Sequence, residues 1–273
     1  MKEYGRPQAF VTALRPALRQ AAAIARALEG RVENRPKRGE ESAAKAALTI
    51  ADTASQEALL VRLFERFPSV ELEAEEDTPS VARFPSTGDG LVVIDPIDGT
   101  LRSYLDGEGP YAIMIGLATE GRFDAALVAL PREGLFFDAV RGGGARVTRE
   151  GGTPRPPRAS AHARRVLVSH GIPESAIDAL RARGYEITSA SGGAVAVAPL
   201  VPGVCAGLRV ATGAGGVSRR GRVGVLVARE AGLLVRGAGD TPFPEDLYET
   251  APVLRVAATE EDMAALDEAV RHI

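Results

Sequence analysis

Two aspartates three residues apart, Asp95 and Asp98, stand around a proline and are followed at once by Gly99-Thr100. The apolar run Leu91-Val92-Val93 precedes them and has the length and β-branched content of a short buried strand. Carboxylates held close at the end of such a strand repel one another and lose hydration, so they call for a compensating positive charge. A divalent cation supplies it most simply. Mg²⁺ takes a few carboxylates plus water and a substrate phosphate. Glu75, Asp95 and Asp98, with the backbone carbonyl of Ile97, have the hard oxygen chemistry for such a shell. Gly99 leaves room for a close phosphate, and Gly99 and Thr100 would open the next helix with free N–H groups. Thr100 as a hydroxyl relay and Asp52 as its carboxylate partner could orient a water.

Taken singly, these residues have plainer readings. Asp52 stands at a predicted helix start and could be only a cap. Glu73, Glu75, Glu76 and Asp77 could be a solvated turn. His162, His170 and His272 are scattered without metal-ligand spacing and read as surface or loop residues. Arg219, Arg220 and Arg222 could be a solvated helix start, although a helix N-terminus disfavours cations.

The surrounding elements must bring the acids together. Apolar residues recur at helical spacing over 8–29, with Pro16 in the first turn or at a kink and Gly30 as the stop. A second helix is expected from Thr53-Ala54-Ser55-Gln56, read as a capping box, to Pro68. Residues 70–73 alternate as a strand. Runs 111–117, 124–130 and 134–139 read as an antiparallel meander closed by Gly142-Gly143-Gly144. The stretch 150–161, rich in Gly, Pro and Arg, reads as a connection. Beyond it strands at 166–168, 185–188, 208–210 and 233–235 alternate with helices at 173–183, 193–200 and 222–231, as in an α/β domain. Two domains are expected, 1–150 carrying the acids and 151–273.

With 273 residues, 45% apolar and 25% charged, the chain has the profile of an ordinary globular protein. A formal net charge of −3 argues against nucleic-acid binding through bulk charge. No apolar run approaches the roughly 20 residues of a membrane helix. The single cysteine, Cys205, excludes an internal disulfide and reads as a buried filler. No signal-peptide core follows Met1, and a cytoplasmic protein is expected.

Asp95-Pro96-Ile97-Asp98-Gly99-Thr100 resembles the signature of the inositol monophosphatase-like family of magnesium-dependent, lithium-sensitive phosphomonoesterases. Leu48-Thr49-Ile50-Ala51-Asp52 is similar to its threonine-rich segment ending in a water-activating aspartate. Ala74-Glu75-Glu76 is similar to its Gly-Glu-Glu motif, and Ala228-Arg229-Glu230-Ala231-Gly232 to the end of its C-terminal motif. The resemblance runs over roughly residues 8 to 260 in order and spacing. It implies an α+β, layered α-β-α-β-α sandwich of the sugar-phosphatase type, with an antiparallel first sheet and a mixed α/β second part. It also implies Mg²⁺ at Glu75, Asp95, Ile97 and Asp98, phosphate at Gly99 and Thr100, and catalysis by Asp52 and Thr100. A small phosphorylated substrate and a homodimer are implied as well.

The chain departs from the pattern at Arg219-Arg220, where the family carries Trp-Asp and that aspartate completes a second metal site. No acid occurs between Ser191 and Glu230. Leu208, Arg209 and Thr212 lie where the family offers acids to substrate hydroxyls. Arg220 could contact an anionic substrate or take the place of an ion, and another acid such as Asp240 could replace the missing one. Two functions follow from this: Mg²⁺-dependent hydrolysis of a small phosphate monoester, or binding of a phosphorylated ligand or partner with weak or no catalysis.

Overall fold

A computed structural model describes residues 6–273 except 41, 161, 212, 214 and 240, so Thr212 and Asp240 lie outside the described residues. Helix α1 (Arg6–Leu28) passes through Pro16 without ending, and Phe10, Val11, Leu14, Leu18 and Ala21 form its buried face. A short α2 (Ala43–Ala46) leads to α3 (Ile50–Arg66). The N-cap of α3 falls four residues before the expected one. Thr49 is its N-cap, and the reciprocal partner is Asp52 in the first turn, which accepts from the Thr49 N–H at 2.8 Å. Asp52 is therefore inside the helix rather than ahead of it. The sequence pattern Thr53 to Gln56 had the right residue types, but Gln56 is committed elsewhere.

The first sheet runs in the order β1 (Glu71–Glu73), β2 (Leu91–Asp98), β3 (Ala112–Thr119), β4 (Arg122–Leu130), β5 (Leu135–Val140), β6 (Gly144–Arg149). It is antiparallel except at its edge, where β1 pairs parallel with β2. The meander does not close at the glycines. Gly142 and Gly144 take positive φ and turn the chain into β6, which pairs with β5. Their N–H groups also reach the Glu230 carboxylate at 2.8 Å each.

The exposed stretch at 150–160 joins β6 to β7 (Arg165–Ser169). Then follow α4 (Glu174–Ala182), β8 (Glu186–Ala190), α5 (Gly192–Ala196), β9 (Val204–Val210), α6 (Val223–Glu230), β10 (Leu234–Arg236), β11 (Val253–Ala257) and α7 (Glu260–Val270). The second sheet is mixed, in the order β10-β11-β9-β7-β8, with β9, β7 and β8 parallel and the rest antiparallel. The last strand and helix were not read from the sequence.

Helices α1 and α3 cover one face of the first sheet. Helices α5 and α6 lie between the sheets, and α4 and α7 cover the outer face of the second. This gives the layers α-β-α-β-α. A continuous apolar core includes Met114 and Val128 of the first sheet, Val195 of α5 and Leu226 of α6. Each fully buried aliphatic side chain of this kind contributes about 1.5–3 kcal/mol. Cys205 is buried, as expected. Among the described residues, no helix is long and apolar enough to cross a membrane.

Candidate active site

Strand β2 pairs regularly with β3 up to Asp95 and then shifts register before Asp98. The irregularity lets the chain leave the sheet as a turn. Gly99 sits at φ +88°, a left-handed conformation that side chains resist, and a Cβ there would stand 2.8 Å from Ser191 Cβ. Thr100 follows in one π-helical segment, Thr100–Leu105.

Thr100 Oγ1 is buried, 2.8 Å from Asp52 Oδ1 and 2.8 Å from the Ile97 carbonyl. The other Asp52 oxygen accepts from both the Thr49 N–H and the Thr49 hydroxyl, at 2.8 and 2.7 Å. Asp52 is thus fixed through Thr49 while its free oxygen faces Thr100. Burial pushes the Asp52 carboxyl up, bonds from Thr49 and Thr100 pull it down, and the Glu75 charge adds to the rise.

The loop carrying Glu75 is held by Gln56 from α3. Gln56 Oε1 accepts from the Glu76 N–H at 3.0 Å, and its amide donates to the Glu76 carbonyl at 2.6 Å. Lys37 pairs with the Glu76 carboxylate at 3.0 Å. A buried glutamine on an apolar helix face was the signal available for this clamp.

Glu75 Oε2 and Asp95 Oδ1 are buried and accept no hydrogen bond. Arg220 faces both carboxylates from outside hydrogen-bond range, 3.7 Å from Glu75 Oε1 and 3.8 Å from Asp95 Oδ2. Beside it Arg219 lies 2.7 Å from Glu73. Burial holds Asp95 well above the ordinary carboxylate value, with Glu75 and Asp98 adding to the rise and Arg220 opposing it. Burial disfavours the Arg220 charge, but Glu75, Asp95, Glu73 and Asp98 outweigh it and raise the guanidinium pKa.

Asp98 stays close enough to Asp95 and Arg220 to act on both charges, and one of its oxygens is engaged by the backbone. Its Oδ2 accepts the Gly193 N–H at 2.5 Å, and among the described residues no three His, Cys, Asp or Glu side chains are gathered as a metal-binding group. The donor chemistry fits Mg²⁺ against the unpartnered oxygens of Glu75 and Asp95, with Asp98 and the Ile97 carbonyl as further hard donors. Arg220 brings a positive charge to the same carboxylates and so opposes the gathering of further cations there.

Two residues read as solvated are placed otherwise. Arg222 is buried and donates to the carbonyls of Val217, Asp246 and Glu249, anchoring the segment that bears Arg219 and Arg220. His170 is half-buried with Nε2 at 3.2 Å from Ser103 Oγ, next to the Gly99 turn, and burial lowers its pKa. Neither arrangement has a local signature, since the partners are backbone carbonyls and a serine distant in sequence.

Both the layered fold and the ordered motifs up to Arg219-Arg220 point to one class. The chain belongs to the inositol monophosphatase family, whose model matches residues 9–195. Histidinol-phosphatase of Chlorobaculum parvum is 35% identical over 98 residues, covering 36% of each chain. Nus factor SuhB of Pasteurella multocida is 32% identical over 100 residues, covering 37% of this chain and 36% of that one. The chain thus matches little more than a third of the length of either curated relative. Among solved structures, the Thermotoga maritima IMPase superposes with a TM-score of 0.73 at 19% identity, covering 94% of this chain and 96% of that one. CysQ from Bacteroides thetaiotaomicron gives 0.65 at 23% identity, covering 93% and 98%. These structural likenesses show the fold.

Proposed function

We propose that this chain hydrolyses a small phosphate monoester. The observation that carries the reading is the Asp52–Thr100 pair, a fixed buried carboxylate aimed at a hydroxyl on the phosphate turn. Glu75, Asp95, Asp98 and the Ile97 carbonyl would hold Mg²⁺, which when bound neutralises phosphoryl oxygens and acidifies water. Gly99 and Thr100 seat the phosphate, with Gly99 leaving the space that a side chain would fill. In the reaction the water oxygen forms a bond to phosphorus as the ester P–O bond breaks. The water proton passes to Thr100 Oγ1 while the Thr100 proton passes to Asp52 Oδ1, and the departing alkoxide takes a proton from solvent. Burial of Asp52 suits it to accept that proton. Arg220 supplies a fixed positive charge beside Glu75 and Asp95. A cytoplasmic location and a homodimer belong to the same proposal.

The position of Arg220 also favours a second reading, in which a phosphorylated ligand binds without turnover. Phosphate release from inositol, sugar and histidinol phosphates, nucleotide 3′-phosphates and a sugar bisphosphate separates the two. Release that requires Mg²⁺ and falls with Li⁺ supports hydrolysis. Flat release across that panel, with turnover appearing in Arg220→Asp, overturns hydrolysis in favour of binding.

A further inference from the structure

Arg209, at the end of β9, is the most unusual cation in the inter-sheet wall. Its guanidinium lies in a slot between two glycines: a Cβ on Gly192 would stand 1.9 Å from Nη1, and one on Gly221 would stand 2.3 Å from it. Any side chain at either position would expel it. Gly192 follows Ser191, which packs on Gly99, and Gly221 follows Arg220. The slot therefore connects the phosphate turn to the Arg220 segment.

The other arginines of this wall are committed. Arg219 meets Glu73, Arg220 meets Glu75 and Asp95, Arg222 meets three carbonyls, and Arg229 meets Glu245. Arg209 makes one long bond, to the Gly221 carbonyl at 3.5 Å, and among the described residues no carboxylate pairs with it. A partly buried guanidinium with most of its N–H groups unused is poorly compensated until an anion arrives. Its planar fork suits the bidentate oxygens of a carboxylate or a phosphate. The proposed phosphate site is already provided at Gly99 and Thr100, so this would be a separate anionic group.

We infer that Arg209 selects phosphate esters that carry a second anionic group, a carboxylate or another phosphate, on the alcohol portion. This rests on the phosphatase reading above. The test compares kcat/KM for 2-phosphoglycolate and ethylene glycol bisphosphate with that for the neutral-bodied 2-hydroxyethyl phosphate. For wild type, at least one charged ester should be preferred by about tenfold or more, mainly through KM. The more strongly preferred one identifies the anion. The preference should collapse to within about twofold of unity in Arg209→Met and be intermediate in Arg209→Lys, which keeps charge but loses the fork.

A wild-type ratio near unity, or a full preference retained by a folded Arg209→Met, overturns the inference. If Arg209→Met does not fold, the ratio in Arg209→Lys decides, and an undiminished preference there counts against it. If no ester is hydrolysed, the phosphatase reading fails. Calorimetric binding of 2-phosphoglycolate against 2-hydroxyethyl phosphate then applies the same ratio to wild type and variants.

Discussion

Replacing Arg220 by Met removes a cation that lies 3.7 Å from Glu75 Oε1 and 3.8 Å from Asp95 Oδ2. At an effective dielectric of about 20, each such pair has a gross attraction of about 4 kcal/mol. Desolvation of the guanidinium offsets much of that, and the side chain is 31% exposed, so screening reduces it further. A net loss of about 2–4 kcal/mol is expected, because Glu75 and Asp95 are left close together without their counter-charge. For a chain of this size that lowers Tm by about 4–7 °C.

The assay is thermal unfolding in EDTA and again with Mg²⁺. In EDTA the order of stability should be wild type, Arg220→Met, then Arg220→Asp, where a further like charge joins the acids. Mg²⁺ at about 100 times its Kd returns about 2.7 kcal/mol to any variant that binds it only when folded. At one fixed Mg²⁺ concentration Arg220→Asp should gain most, since its acid set has the largest charge to neutralise and therefore the lowest Kd. Equal melting of wild type and Arg220→Met in EDTA, or the same Mg²⁺ shift in all three proteins, would refute Arg220 as a resident counter-charge.

Thr100→Val and Asp52→Asn should lower kcat for phosphate release by about 10²–10⁴ with a smaller change in KM, and Thr100→Ser should recover most of it. Near-native kcat in Thr100→Val excludes the relay. Gly193→Ala places a Cβ 2.5 Å from Met114 Sδ and 2.9 Å from Ala112 Cβ, so α5 must retreat from β3 and from Asp98. It should cost about 1–3 kcal/mol in denaturant unfolding, with part regained when Met114→Ala is added; strict additivity of the two changes would contradict the steric account. Burial raises the Glu133 carboxyl, and its own backbone N–H, Arg132 and Arg26 oppose the rise. The folded state then holds a proton that the unfolded state releases, so this group's contribution to stability falls as pH rises from about 4.5 through the raised folded value. Glu133→Gln should gain on wild type over that window in urea midpoint, and parallel pH profiles would show an ordinary carboxylate.

Local periodicity carried most of the fold. Helices α1 and α3 each bury a face at the helical period, and strands β2 to β4 are short apolar runs buried on both faces, so they could be read without neighbours. The errors fell where the deciding partner was distant. Two adjacent segments could each cap α3, and Thr49 prevails because Asp52 is also held by Thr100 while Gln56 clamps the Glu75 loop. Gly142 to Gly144 resembled a terminus, yet the N–H groups there are received by Glu230 and the strand continues. Helix α7 has a local signal of its own, Thr259 before Glu260, Glu261 and Asp262. In the site, Asp52, Asp95 and Thr100 are legible as a motif. The clamp on Glu75, the buried setting of Arg222 and the slot around Arg209 depend on contacts that no spacing encodes.

The acid-free run from Ser191 to Glu230 acquires a physical sense from what it faces. Acids at the ends of β1 and β2 meet positive groups from that run: Glu73 meets Arg219, Glu75 and Asp95 meet Arg220, and Asp98 meets the Gly193 N–H. Each contact crosses from the first sheet's motif to the second half of the chain. The same electrostatic work that a second cation would perform is therefore distributed over side chains and a backbone N–H fixed by folding. Such a site holds its acids together before any ion binds, and it exchanges an exchangeable charge for one that cannot leave. The expected consequence is the weak Mg²⁺ dependence of wild-type melting set against the strong dependence of Arg220→Asp.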